Sequence, residues 1–166
     1  MRTITTALAA IMVLAFVSPT GARPPRPDGR ELLAEHETLA VLESVAFRQC
    51  RGRTAACPKD CGDSGEFATF KIVEYTHYKQ HGKYGGKQKS YHIQVSDFHR
   101  KPKGDPKILE AVRGLKEGDY VRLHWRHDYV TKNRSSFPER PIVKLEKISK
   151  AEAKAILAKD GAGKGE

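Results

Sequence analysis

Leu115-Lys-Glu-Gly-Asp-Tyr-Val-Arg-Leu-His-Trp-Arg-His-Asp128 is the stretch on which the fold turns. Gly118-Asp119 reads as a tight turn. After it, Val121, Leu123 and Trp125 alternate with Tyr120, Arg122, His124 and Arg126, the period-two signature of a half-buried strand with one core face and one basic, aromatic face. Before the turn, Ile108, Leu109, Val112 and Leu115 have helical spacing behind Asp105-Pro106, an N-cap residue followed by proline at the first helical position. A short helix over 106–115 therefore feeds a strand.

Working outward, the remaining elements read mostly as strands. A first strand is expected from about 38 to 49. A second runs from Glu66 to about Tyr78, with apolar residues on both faces that predict a strong bend or a bulge near Val73. Gln80 to Gly86 reads as a hairpin connection to a third strand from about Lys89 to Phe98, in which Tyr91, Ile93 and Val95 alternate with polar residues. Pro141 to Ile148 gives a fifth strand. Two polar, irregular connections are expected, at 50–65 and 128–140.

The ends read differently. Met1-Arg2, an apolar run of 11 residues from Ala7 to Val17 and small residues up to Ala22 have the form of a secretory signal. The run is too short to span a bilayer, which takes about 20 apolar residues. Export, to the periplasm or the medium, is the expected localisation, with residues 1–22 removed. Residues 23–37 are expected to be a Pro-rich linker and a short helix, because Asp28-Gly-Arg-Glu31 has the form of a capping box. The barrel described below takes 38–148. Residues 149–166 are expected to form a short helix capped by Ser149 and a disordered tail.

Charge bounds the partners. The 166-residue chain carries a formal net charge of +10, and loss of Arg2 with the signal leaves +9. Residues 71–107 hold nine lysines and arginines against three acids, Glu74, Asp97 and Asp105. Such a surface attracts nucleic acid, acidic glycan or an anionic envelope component.

The order of three strands, a helix and two strands resembles the OB-fold, a five-stranded barrel. The resemblance covers about residues 38–148 and lies in element order. It implies a mainly β protein with a helix between strands three and four, plus the short N- and C-terminal helices. It also implies a ligand held against strands two and three, between the 50–65 and 128–140 loops. The candidate contacts are Lys71, Tyr75, Tyr84, His92, Phe98 and Arg100. Arg122 and Arg126 join them if the outer face of strand four looks the same way, and Arg134 and Arg140 surround Phe137 in the second loop. Aromatic rings would supply stacking platforms and cations would track a phosphate or sulfate backbone.

Cys50, Cys57 and Cys61 lie within 12 residues. Their spacing fits neither a zinc ribbon nor a thioredoxin-type dithiol. A disulfide within the trio is the first reading, and a three-thiolate zinc site completed by His127 is the alternative. No cofactor other than that zinc is implied. Catalysis finds no nucleophile motif, so the chain reads as a non-catalytic binding module. A secreted metal-dependent phosphodiesterase or hydrolase using Asp60, Asp63 and Asp128 is the runner-up, and a protein-interaction or envelope-stress module is the third.

Overall fold

A computed structural model describes residues 28–52, 58 and 61–162. The expected signal segment, residues 23–27 of the linker, Cys57, Asp60 and the last four residues lie outside the described residues. The elements are β1 (Gly29–Arg48), β2 (Gly65–Gln80), β3 (Ser90–Asp97), α1 (Pro106–Arg113), β4 (Tyr120–Lys132), β5 (Ser135–Glu139), β6 (Ile142–Ile148) and α2 (Lys150–Ala162). They form one antiparallel sheet of six strands in the order β3-β2-β1-β4-β5, with β6 also paired to β4.

β1 organises the sheet because it is long enough to serve two neighbours. Gly29 to Val41 pairs with β4, while Ala34 to Arg48 pairs with β2. Three register shifts interrupt the β1/β2 ladder, near Thr38, Ala40 and Ser44. Leu39 lies opposite Glu74 and Ala40 opposite Ile72, so Val73 is the extra residue of one bulge, where the sequence predicts it. Each bulge bends the strand and adds right-handed twist. The sheet therefore curls around its inner face.

That face is the core. Ala40 and Leu42 of β1, Ala68 and Phe70 of β2, Tyr91 and Ile93 of β3, and Val121, Leu123 and Trp125 of β4 are buried together. The alternation after Gly118-Asp119 thus gives the buried face of β4 residue by residue. α1 closes one end through Val112. Its first turn is capped by the Asp105 carboxylate, which accepts from the Lys107 N–H at 2.8 Å. Burying apolar surface at roughly 25 cal/mol per Å² makes this interior the main source of stability.

α2 packs on the opposite face of the sheet. Leu39 points outward between inward-facing neighbours, yet it is fully buried against Ile148 and Ala153, with Tyr120, Ile156 and Leu157 around them. The helix starts as the sequence predicts. The Ser149 hydroxyl accepts from the Glu152 N–H at 3.2 Å while the Glu152 carboxylate accepts from the Ser149 N–H at 2.9 Å, a reciprocal capping box.

The sequence expectations need four corrections. The sheet is not closed into a barrel, because β3 and β6 share no ladder among the described residues. Across the open seam the Tyr91 hydroxyl donates to the Arg140 carbonyl. There are six strands instead of five, because the last strand is broken at Arg140-Pro141, where proline has no N–H for the ladder. β5 pairs with the second half of β4 and β6 with the first.

The expected N-terminal helix is instead the start of β1. Pairing with β4 and β2 buries Leu33, Ala34 and His36, and this overrides the local capping pattern. The Asp28 carboxylate accepts from the Asn133 N–H at 3.0 Å, so it ties down a hairpin rather than a helix. The expected 128–140 loop is largely that β4/β5 hairpin. Its two central residues, Asn133 and Arg134, have φ of 51° and 65°, the backbone of a tight turn that follows strand twist. Among the described residues no helix is long and apolar enough to cross a membrane.

Candidate functional site

The outward faces of β2 and β3 form one continuous surface. Phe67, Thr69 and Lys71 of β2 lie opposite Gln94, His92 and Ser90 of β3. Thr69 Oγ1 and His92 Nδ1 are 3.1 Å apart, and the Arg48 guanidinium sits 4.3 Å from the centre of the Phe67 ring. Partial burial, aided by Arg48, lowers the His92 pKa, so this imidazole is neutral at pH 7. Lys71 is exposed beside it.

The charge on the molecule is lopsided. Among the described residues, every ion pair that uses a lysine or arginine lies on β1, β4, β5, β6 or the turn before β4: Arg30 with Asp128 and Glu139, Arg126 with Asp128, Lys144 with Glu146, and Lys147 with Asp119. Lys71, Lys79, Lys83, Lys87, Lys89, Arg100, Lys101 and Lys103 belong to none of these pairs. They follow β2, the β2/β3 connection and the segment after β3. Among the described residues the ion pairs of lysine and arginine thus gather on the β4 side of the sheet.

The β2/β3 connection is fixed onto the sheet. His81 and Gly82 donate backbone N–H groups to the Leu33 carbonyl, at 2.8 and 3.2 Å. The Tyr75 hydroxyl donates to the Gln88 carbonyl at 3.1 Å and accepts from the Gln88 N–H at 2.6 Å. Lys87 spans the rings of Tyr75 and Tyr78, 5.0 and 5.3 Å from their centres, and Tyr84 stands exposed. Cations and aromatic rings therefore share this edge.

Beneath that connection lies a polar end to the core. His36 is fully buried and stacks on Trp125 at 3.5 Å with an interplanar angle of 6°, while Tyr78 and Tyr75 approach at 5.2 and 6.0 Å. Neither ring nitrogen of His36, nor Nδ1 of His127, nor Nε1 of Trp125 has a hydrogen-bond partner among the described residues. Burial, followed by the charges of His127 and Arg140, pushes the His36 pKa down to about 4. Burial also lowers that of His127.

The structure brings together only part of the contact set expected from sequence. Lys71 and His92 share the outer face. Tyr75 points under the β2/β3 connection, and burial raises its pKa. Phe98 packs 5.9 Å from Phe47, and Phe47 and Arg100 line a groove beside α1. Arg122 and Arg126 sit on β4, which β1 separates from β2, and Arg126 is engaged by Asp128 at 3.3 Å. Arg134 is at the β4/β5 hairpin tip and Arg140 at the seam. Arg48 and Phe67, which stack on the outer face, and Lys87, which spans two tyrosine rings, are absent from the set expected from sequence. Reading the 38–49 strand in phase with its partner would have placed Arg48 beside Phe67.

The cysteine loop joins β1 to β2 and is held at its base. The Cys50 N–H donates to the buried Ser64 hydroxyl at 3.0 Å, and the Ser64 N–H donates to the Cys61 carbonyl at 2.8 Å. Cys50 and Cys61 are not joined to each other by a disulfide. His127 cannot complete a site with them. It lies opposite Ala34, near the start of β1, whereas Cys50 follows the end of β1. Asp63 and Asp128 are separated in the same way, since Asp128 lies opposite Leu32. The acid constellation of a phosphodiesterase is thus not assembled from these two residues. Comparison of the chain with protein-family models, with curated proteins and with solved structures finds no match.

Proposed function

We propose that this protein is an exported, non-catalytic module that binds a polyanion on the β2/β3 flank of its sheet. The observation that carries this reading is the lopsided ion pairing. Eight lysines and arginines between residues 71 and 103 take no part in the ion pairs of the described residues, whereas Arg30 of β1, Arg126 of β4 and Lys144 and Lys147 of β6 do. Arg48, Phe67, Lys71 and His92 form the centre of the surface, with Lys87, Lys89 and Tyr84 on one side and Arg100 and Lys101 on the other. Cations neutralise phosphate or sulfate and release counterions, and the rings offer flat apolar contacts. In the same reading the sheet is an OB-like barrel left open at the β3/β6 seam, and its ligand lies on strands two and three.

The test is binding to three probes over a salt series: a sulfated glycan, a single-stranded oligonucleotide and vesicles containing anionic lipid. Tight binding to at least one is expected, weakening steeply with salt, since each neutralised phosphate of a single strand adds about −0.7 to the slope of log K against log salt. The triple variant Lys71→Glu, Lys89→Glu, Lys101→Glu should lose at least tenfold in affinity. The matched variant Lys132→Glu, Lys144→Glu, Lys147→Glu, with the same change in net charge, should lose far less. Equal losses in the two variants would refute a localised site.

A further inference from the structure

We propose that the β1/β2 junction binds one zinc ion through Cys50, Cys61 and Asp63. The two Sγ atoms and a carboxylate oxygen all lie within 4.8 Å of one another. Ligand atoms of a tetrahedral zinc ion, bound at about 2.3 Å to sulfur and about 2.0 to 2.2 Å to oxygen, lie roughly 3.5 to 4 Å apart. A small inward shift of side chains produces that shell. A disulfide requires a far closer approach, about 2.05 Å between the sulfurs.

The surroundings prepare sulfur to carry negative charge. The Gly52 N–H donates to Cys50 Sγ at 3.3 Å, and the Ser64 hydroxyl lies 3.8 Å from Cys61 Sγ. The Lys103 ammonium donates to the Gly62 carbonyl at 2.9 Å. Hydrogen-bond donors at a sulfur favour its thiolate. Metal binding then releases the thiol protons to solvent.

The loop is built for position. The Cys61 N–H donates to the Pro58 carbonyl at 3.2 Å, and a turn runs from Cys61 to Ser64. Ser64 is fully buried, and its carbonyl accepts from Gln94 of β3 at 2.9 Å. Two sulfurs and one carboxylate select zinc over magnesium or calcium, which require six or more oxygen ligands. Three protein ligands leave the fourth position to solvent or to an anion.

The experiment uses the full chain, reduced and stripped of metal, titrated with cobalt(II) and then displaced with zinc. One cobalt per chain with thiolate-to-metal charge-transfer absorption is expected, together with a rise in thermal midpoint on zinc addition. Cys61→Ser should abolish the charge-transfer band. Asp63→Asn, at an exposed position, should keep the fold and weaken the metal at least tenfold. His127→Ala should bind as the wild type does. No uptake by the reduced wild type overturns the proposal, as does uptake indifferent to both Cys61→Ser and Asp63→Asn. If Cys61→Ser fails to fold, Asp63→Asn alone decides.

Discussion

Acidification should destabilise this protein well before its carboxylates titrate, and His36 is the reason. Its ring is shut away from solvent between Trp125 and Tyr78, with no hydrogen-bond partner for either nitrogen among the described residues. Burial disfavours the cation most, and the charges of His127 and Arg140 add to it. Tyr75 and Tyr78 from β2 offer rings, while His127 from β4 and Arg140 at the seam carry or acquire positive charge. The folded state therefore holds His36 near pKa 4, against 6.5 when unfolded. Because the folded value is the lower one, the unfolded chain takes up the proton first. The stabilisation is present above about pH 6.5 and is lost as pH falls toward about 4.

With those two values, linkage gives a loss of about 2 kcal/mol between pH 7 and pH 5, rising to about 3 kcal/mol by pH 4. For a domain of this size, 2 kcal/mol lowers the thermal midpoint by roughly 6 to 10 °C. The assay is urea unfolding at pH 7, 6 and 5, above the range in which most carboxylates titrate. Trp125, the only tryptophan of the chain, reports directly because it stacks on the titrating ring. His36→Phe keeps the stacked ring and removes the proton site. The wild type should lose about 2 kcal/mol more than this variant between pH 7 and 5. Parallel pH profiles for the two proteins would refute the reasoning.

Gly65→Ala should cost at least about 2 kcal/mol in urea unfolding, since φ there is 148° and a Cβ would overlap the Ser96 carbonyl. Gly86→Ala, where a Cβ meets nothing within 4 Å, is the matched control and should be near neutral. Tyr91→Phe removes the hydroxyl that bridges the seam to the Arg140 carbonyl. It should cost about 1 kcal/mol and speed hydrogen exchange of β6 amides, with β1 amides unchanged.

Strand positions in this chain are legible wherever one face is buried and the other solvated. Val121, Leu123 and Trp125 declare themselves by alternation alone, and Asp105-Pro106 and Ser149 mark helix starts by chemistry that acts within one turn. Asp28-Gly-Arg-Glu31 shows where such local rules fail. The same capping pattern that works at Ser149 misleads there, because a strand that satisfies hydrogen bonds on both edges gains more than an isolated helical turn. Leu39 fails for a related reason. Its burial depends on α2, a helix more than a hundred residues downstream, and no window around Leu39 contains that information.

The site is harder to read than the fold because sites depend on register, and here register is broken by bulges. A one-residue shift moves every later side chain to the other face. The extra residue Val73 moves Tyr75 from the outer surface, where strict alternation from Lys71 puts it, to the packed space beside His36. The long β1 also carries its two ends far apart. The cysteines leave one end and His127 pairs near the other, so a barrel drawn from element order brings them together while the antiparallel register keeps them separate. Lys71 and His92 share the outer face that alternation gives them because the β2/β3 ladder runs without a shift from Phe67 to Lys71. The surface proposed to bind a polyanion is thus centred where the sequence pattern and the hydrogen-bond register agree. The proposed metal ligands follow the same logic over a shorter distance: Asp63 needs only the Cys61 to Ser64 turn to reach the thiols, whereas His127 would need the whole sheet.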